Sequence, residues 1–142
     1  MANTYQGVLR KNVRPEKNLY LAIPSAVVVK VGEFLSWESN AVAVLDLATE
    51  DATFIGMALG ASASGETDKI PIATEFIADV TVASATYDLG AELKFSTDGS
   101  LEASSSANGV ANVIDYYSSA ATTVRAYFNV LDHIKKLFPI NA

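Results

Sequence analysis

The chain has 142 residues, enough for one compact domain but short for two. Half of its residues are hydrophobic and 18% are charged, a composition typical of a globular protein with a buried core. Because the chain contains no cysteine, disulfides, thiolate nucleophiles and cysteine-bound metals are excluded.

The net charge of −6 is unevenly distributed along the chain. Residues 1–30 are basic, because Glu16 is their one acidic residue and every other acidic residue comes after Lys30. An acidic body is a poor surface for nucleic acid, which we do not expect as a partner. No apolar run approaches the roughly 18 residues of a spanning helix, and the first residues do not resemble a secretory signal. We therefore expect a soluble protein made in the cytoplasm, with no membrane partner.

Residues 1–24 have no sustained helical or alternating pattern, and Gly7, Pro15 and Pro24 interrupt them. We interpret this segment as an extended basic arm that packs against another surface. The candidate contact residues are the apolar and basic side chains Val8, Leu9, Arg10, Lys11, Val13, Arg14, Lys17, Leu19 and Tyr20.

From Ser25 onwards, short runs rich in Val, Ile, Phe, Tyr and Thr alternate with Gly, Asn, Asp and Ser. This texture predicts an all-β domain over residues 25–130, built as a small barrel or a sandwich-like fold. The predicted strands are Ala26–Val31, Phe34–Trp37, Ala41–Asp46, Thr53–Ala58, Ile70–Ile72, Ile77–Val82, Glu92–Ser96, Val110–Asp115 and Thr122–Val130.

Two local segments have recognisable signals of secondary structure. The dipeptide Asp98-Gly99 predicts a β-hairpin with a tight turn, in which both central residues take positive φ. Near the end of the chain, apolar residues at helical spacing followed by Pro139 predict a short helix and tail over residues 131–142. Leu45–Ala52 could form a helical turn, but its polar residues favour a loop that leads into a strand.

The sequence carries no legible catalytic or metal-binding motif. The one histidine, His133, has no evident catalytic partner, and no serine lies in a nucleophile-elbow pattern. The carboxylates are scattered, and the pairs Glu50-Asp51 and Glu66 with Asp68 lack the pattern of a calcium loop. We therefore expect no enzyme activity, no metal and no cofactor.

Aromatic residues near strand ends are candidates for contacts between copies of the chain. Tyr116 and Tyr117 follow a predicted strand, and tyrosine is enriched at interfaces. Trp37 ends a short predicted strand, where a lone Trp belongs to the core or to an interface. We name Trp37, Tyr116 and Tyr117 as candidate oligomer-interface residues, with core packing as the alternative.

Several segments, taken in order, resemble the capsid cement or head decoration proteins of tailed phages. Two short segments are similar to features of this family. One is an early strand and turn, Val28-Val29-Lys30-Val31-Gly32-Glu33, and the other is a strand followed by glycine and a small apolar residue, Phe54-Ile55-Gly56-Met57-Ala58. The alternating segment over residues 72–80 is similar as well. The best match is the run from Ala85 to Leu101, with Gly90-Ala91-Glu92-Leu93 and then Asp98-Gly99. Residues 111–115 and 123–128 resemble the closing strands.

The resemblance implies a structural virion protein with a β-barrel-like or β-tulip domain and no catalysis. Such a protein sits on the outer capsid surface, often as a homotrimer, and bridges adjacent major capsid protein subunits. In this interpretation, the basic residues of the arm pair with acidic capsid residues and its apolar residues supply buried area. Two other classes stay open: a tail- or fibre-associated binding module for protein or carbohydrate, and a small hydrolase that would need a cleft around His133.

Overall fold

The computed structural model of the chain describes residues 4–104 and 109–130. The predicted helix and tail over residues 131–142, with His133, lie outside these described residues. The strands are β1 Gly7–Asn12, β2 Leu19–Ala22, β3 Phe34–Glu38, β4 Ala41–Val44, β5 Phe54–Ala58, β6 Lys69–Ala73, β7 Glu75–Tyr87, β8 Glu92–Phe95, β9 Leu101–Ala103, β10 Ala111–Val113 and β11 Tyr117–Asn129. Two short 3₁₀ helices cover Pro15–Lys17 and Ala48–Thr53.

The strands form two sheets. One has six strands in the order β1-β7-β11-β10-β8-β9, and a parallel pairing of Val82 with Leu101 joins β9 back to β7. This pairing closes five of the strands into a small barrel, with β1 as an extra strand on β7. The other sheet has five antiparallel strands in the order β2-β6-β5-β3-β4. The predicted all-β class and small barrel are confirmed.

The chain passes between the sheets at Thr74, the single residue between β6 and β7. Its side chain is buried, and its hydroxyl donates a hydrogen bond to the carbonyl of Lys17 at 2.9 Å. The carbonyl of Thr74 accepts the amide of Val130 at 3.0 Å. One residue thus connects the two sheets to the loop before β2 and to the end of β11.

Phenylalanines from both sheets form the centre of the core. Phe34 on β3 contacts Phe54 at a ring distance of 5.3 Å within its own sheet and Phe128 at 5.2 Å across to the barrel. Phe76 and Phe128, paired on β7 and β11, stack at 4.8 Å. All of these rings are fully buried, as is Tyr5, whose hydroxyl donates to the carbonyl of Ser96. Burial of this aromatic surface stabilises the contact between the two sheets.

One glycine position is required by close packing of the backbone. Gly56 on β5 has φ +138°, and a Cβ there would collide with the carbonyl oxygen of Ala73 on β6. Only glycine combines that backbone conformation with such a close approach of two strands.

The N-terminal segment is extended, as expected, but it is not separate from the domain. β1 pairs with β7, β2 pairs with β6, and Tyr5 and Ile23 at either end of the segment are buried in the core. The predicted boundary at residue 24 therefore divides strands of one hydrogen-bonded fold. The sequence could not reveal this, because both partner strands lie about fifty or more residues further along the chain, beyond the reach of a local pattern.

Several predicted strand limits differ from those observed. The predicted strand Ala26–Val31 is wrong: the segment turns after Pro24 and makes one isolated bridge, from Val29 to Ser62. Conversely, β7 and β11 are each 13 residues long and extend well beyond the predicted strands. The segment that we interpreted as a loop before β5 contains the 3₁₀ helix Ala48–Thr53.

The hairpin predicted at Asp98-Gly99 is present, with a longer loop than expected. β8 and β9 are antiparallel, and the amide of Ser96 donates to the carbonyl of Ser100 at 2.9 Å. Of the two central residues, only Gly99 has positive φ, at +90°. The Asp98 carboxylate accepts hydrogen bonds from the Ser100 and Ser96 hydroxyls, which lower its pKa to about 2. Asp98 therefore fixes the loop through its side chain.

Candidate binding surface on strand β1

The candidate contact residues of the N-terminal segment fall on two sheets. Val8, Leu9, Arg10 and Lys11 lie on β1, where all four are exposed. Leu19 and Tyr20 lie on β2 in the other sheet, and Tyr20 is 59% exposed. Val13, Arg14 and Lys17 lie in the connection between them, which wraps around the Thr74 crossover. The fold therefore does not bring the whole set together on one strand.

Strand β1 is the part of this set that forms a coherent surface. It ends the six-stranded sheet, so one of its edges pairs with no strand among residues 4–104 and 109–130. Val8 is 63% exposed and Leu9 is 38% exposed. Val31 is 64% exposed. It lies next to them because the amide of Gly7 donates a hydrogen bond at 3.0 Å to the carbonyl of Gly32, the residue after Val31. The three aliphatic side chains form an exposed apolar patch.

Grooves flank this patch on two sides. An apolar groove of about 260 Å³, which we call the β1 groove, is lined by Leu9, Val31, Met57 and Leu59 together with neighbouring backbone. A second groove of about 430 Å³ lies between Val8, Val31 and the outer face of β7 at Asp79 and Thr81. Val8 and Val31 line both grooves and so separate them.

The basic residues near β1 are partly paired with carboxylates of the same chain. Asp79 on β7 accepts hydrogen bonds from the Arg125 guanidinium at 2.9 and 3.4 Å and lies 3.8 Å from Arg10. Arg14 lies 3.8 Å from both Glu75 and Glu16. The Asp79 carboxylate raises the pKa of Arg125 further above its ordinary range, so this guanidinium is permanently charged.

Lys11 and Lys17 make no ion pair with any residue that the structure describes. The strip around β1 contains five basic side chains and three carboxylates: Arg10, Lys11, Arg14, Lys17 and Arg125 against Glu16, Glu75 and Asp79. A protein with a net charge of −6 thus has a positive strip beside its exposed apolar patch.

Below the charged strip, the outer face of the barrel is held by side-chain hydrogen bonds. The Tyr127 hydroxyl donates to the Glu75 carboxylate at 2.7 Å. Burial, and then this hydrogen bond, raise the pKa of Tyr127. The Tyr117 hydroxyl accepts the backbone N–H of Arg125 at 2.8 Å. These bonds fix the face of β7 and β11 that supports β1.

The candidate oligomer-interface residues differ in exposure. Tyr116 is 65% exposed, whereas Tyr117 is partly buried and packs against the core. Trp37 is also partly buried and lies on β3 in the five-stranded sheet, away from the tyrosines at the start of β11. Leu89, 69% exposed, follows β7 in the loop whose Gly90 amide bonds to Val113. Of the three candidates, Tyr116 alone is well exposed.

The described residues include one unusual titratable pair. Glu50, in the 3₁₀ helix Ala48–Thr53, is buried, and its carboxylate accepts the amides of Asp46 and Leu47 at 2.8 Å each. Burial, and then a hydrogen bond with Glu38, raise the pKa of Glu50 to about 7. The same bond and one from the Ser36 hydroxyl at 2.6 Å lower the pKa of Glu38. The pair closes a turn and faces no groove described above.

No group of three or more His, Asp or Glu residues that could hold a metal is found within residues 4–104 and 109–130. Over the same residues, no helix is long and apolar enough to cross a membrane. The third and most polar groove, about 410 Å³, lies beside the β8–β9 loop and is lined by Gln6, Thr81, Ser84, Asp98 and Ser100 among others. It offers hydroxyl groups and the Asp98 carboxylate, whose Oδ1 already accepts hydrogen bonds from Ser96 and Ser100 within the loop.

Sequence reasoning identified Val8, Leu9 and Lys11 but missed Val31, Met57 and Leu59, which complete the β1 groove. Their proximity depends on the bond between Gly7 and Gly32 and on the position of β5, neither of which has a local sequence signal. The chain matches no known protein-family model and no curated protein.

Proposed function

We propose that the protein is a structural virion protein that binds the outer surface of a tailed-phage capsid and stabilises it by bridging major capsid protein subunits. Residues 25–130 resemble capsid decoration proteins in several segments that come in the same order, and the well-packed body presents an exposed apolar and basic surface. The proposal places the protein on the outside of the virion and assigns it no catalysis.

The observation that carries the proposal is the exposure of four successive residues on β1. A strand against a sheet normally buries every second side chain, but Val8, Leu9, Arg10 and Lys11 all face solvent. Contiguous exposed apolar groups rimmed by charge are typical of interaction sites. Because β1 is already held by β7, a partner would not have to order it, and binding would lose little conformational entropy.

Charge supplies selectivity for the partner. The positive strip around β1 contrasts with the acidic remainder of the chain, so it favours a partner that presents an acidic surface. The free ammonium of Lys11 is the clearest donor for such contacts, since the guanidinium groups of Arg10 and Arg14 lie near carboxylates of the same chain.

Bridging requires a second contact surface. Of the residues that the structure describes, Leu89 and Tyr116 are the most exposed large hydrophobic ones outside the β1 region, and both lie at the far end of β7 and β11. We propose that they contribute to contacts within a homotrimer, the assembly that the resemblance implies. Tyrosine and leucine side chains with more than half of their surface exposed suit a contact of this kind.

A tail- or fibre-associated binding module is the alternative. The polar groove beside the β8–β9 loop favours it, because hydroxyl and carboxylate groups recognise sugars or polar peptides. Against it, none of the exposed large hydrophobic or aromatic side chains of the described residues lines that groove, and stacking on an aromatic ring is what a sugar site needs.

Co-sedimentation with capsid shells of the virus that the chain comes from tests the proposal. We expect the wild-type protein to pellet at saturable stoichiometry and the variant Lys11→Glu to bind at least tenfold more weakly. Lys69→Glu is the matched control, since Lys69 is an exposed lysine on β6 in the other sheet. Removal of residues 1–24 would not be a fair test, because it deletes two strands and two core residues. Absence of saturable pelleting by the wild-type protein would overturn the proposal.

A further inference from the structure

The outer edge of β1 has a free hydrogen-bonding site at Leu9. The amide of Gly7 points away from β7, since it donates to Gly32. Alternate residues of a strand present their backbone groups to the same side, so the N–H and C=O of Leu9 face outward as well. A bulge at Arg10 shifts this alternation by one residue. Beyond the bulge, the amide of Val13 therefore points inward, where it donates to the carbonyl of Glu75 at 2.9 Å. Within the described residues, no backbone bond from Leu9 to the outer side is present.

The β1 groove lies directly beside this free edge. Leu9, Val31, Met57 and Leu59 give it an apolar lining. Its volume of about 260 Å³ exceeds the roughly 150 Å³ that suffices for a benzene-sized group in an apolar cavity. A chain that lies along the edge at Leu9 would therefore have room for one large aliphatic or aromatic side chain next to its backbone.

Charge and geometry together define the occupant. Beyond Leu9, the exposed residues of β1 are Arg10 and Lys11, so an incoming chain meets positive charge on one side of the groove and apolar surface on the other. We infer that the β1 edge binds an extended segment of the partner that inserts one large apolar side chain into the β1 groove and places acidic residues beside Lys11. The inference rests on the proposed function, in which that segment belongs to the capsid protein.

The bulge at Arg10 limits how this segment binds. A bulge interrupts regular pairing and twists an edge strand, a device that protects edges from indiscriminate strand addition. The added segment thus forms only a few backbone bonds, around Leu9, and the groove and the charges provide the rest of the affinity. Selectivity follows, because a neutral strand without a large side chain gains little.

A second copy of the chain fits this edge poorly. β2 and β4 lie at the ends of the five-stranded sheet, and neither contains an acidic residue. Pairing of either strand with β1 would leave Arg10 and Lys11 without a charge partner on that strand. The partner is therefore expected to be a different protein.

Hydrogen exchange of the protein bound to capsid shells, read by mass spectrometry of peptides, tests the inference. We expect the amides of residues 8–12 to exchange at least tenfold more slowly in the bound than in the free protein, while those of β4 are unchanged. The variants Leu9→Ser and Val31→Asp should lower the apparent affinity at least tenfold. Leu47→Ser, at an exposed leucine outside the β1 region, is the matched control and should stay within twofold of wild type.

The outcomes separate the inference from the proposed function. If the protein saturates the shells while residues 8–12 exchange as in the free protein, the inference is overturned and the decoration role stands. If protection of these residues appears without shells as the protein concentration rises, the occupant is a second copy and the assigned partner is wrong. If the protein does not bind shells at all, the proposed function fails and the inference fails with it.

Discussion

The two halves of the long pair β7 and β11 differ in how they are held, although they belong to the same strands. In the half next to β1, residues 75–80 pair in continuous register with 124–129, and alternate side chains are buried. In the distal half, pairing is broken by register shifts at Ala121, and most side chains from 83–86 and 118–122 are small and exposed. Strand length alone therefore does not measure stability.

The difference explains where a rigid binding surface can form. The near half combines the stacked rings of Phe76 and Phe128 inside with the Asp79 and Arg125 pair outside, and β1 adds a third strand to it. In the distal half the cross-strand pairing is sparser, and the aromatic register partners are Tyr87 and Tyr117 at its end. A partner that binds β1 meets a fixed surface, whereas contacts at Tyr116 and Leu89 involve the less constrained end.

The largest expected effect comes from the core of the near half. Phe128→Ala removes a fully buried ring that contacts Phe34 and Phe76, so it should lower the free energy of unfolding by about 3–5 kcal/mol. Chemical denaturation measures this. Ser118→Ala in the distal half is the control, with an expected change within about 0.5 kcal/mol. Equal losses in the two variants would contradict the difference between the halves.

The same substitution on the same strand makes a closer comparison. Ala126 is fully buried and pairs with Ala78, while Ala120 is exposed in the distal half. Ala126→Gly loses a buried methyl group and adds backbone entropy to the unfolded chain, for a cost of about 1–2 kcal/mol. Ala120→Gly should cost about 0.5 kcal/mol or less, since a frayed segment is less restricted. Thermal or urea unfolding measures whether Ala126→Gly lowers the free energy of unfolding more than Ala120→Gly does.

On the outer face, Asp79 is the centre of the charge network. Asp79→Asn removes the negative charge that lies near both Arg10 and Arg125, and it should cost about 1 kcal/mol, because the pairs are partly exposed. The loss should shrink at high salt, which screens the wild-type attraction. Asp88→Asn, at an exposed aspartate in the loop after β7, should have no comparable effect. If the loss of stability in Asp79→Asn did not depend on salt concentration, the negative charge of Asp79 would not be its cause.

Local chemistry made some of the fold predictable. The β8–β9 hairpin could be located because Asp98 and Gly99 determine its loop within a few residues, and the alternating segments gave the all-β class. The N-terminal strands could not be assigned in the same way. The pairing of Gly7 with Val80 and of Leu19 with Ile72 joins residues far apart in sequence, and a strand is recognisable only when its partner is known.

The candidate site follows the same division. Val8, Leu9 and Lys11 were identified because the segment has too many apolar residues for a solvated tail and is basic beside an acidic body. The groove was not predictable, because Met57 and Leu59 reach it from the other sheet. Leu19 and Tyr20, by contrast, were assigned to the same surface and lie on β2 instead. Sequence thus indicated the chemistry of the site but not its shape.

A further effect concerns pH and tests whether the near half reports global stability. Because burial raises the pKa of Glu50 to about 7, the folded protein keeps a proton that the unfolded chain loses near the ordinary glutamate pKa of 4.5. Folding stability should therefore be greatest at the acidic end of this window and decline as the pH rises from about 4.5 through 7. Glu50→Gln keeps an oxygen for the amides of Asp46 and Leu47 and should abolish the decline, with a change within about 1 kcal/mol at pH 5.

Hydrogen exchange at pH 5 and pH 7.5, corrected for the intrinsic rates, measures the decline in both halves of the β7–β11 pair. Amides at 124–128 should lose protection between the two values in the wild type, because they exchange through global unfolding, and should lose none of it in Glu50→Gln. Amides at 118–121 exchange through local opening, so neither pH nor the variant should change them. A parallel response of the two segments would mean that β7 and β11 open as one unit, and the distal half would then be as constrained as the surface beneath β1.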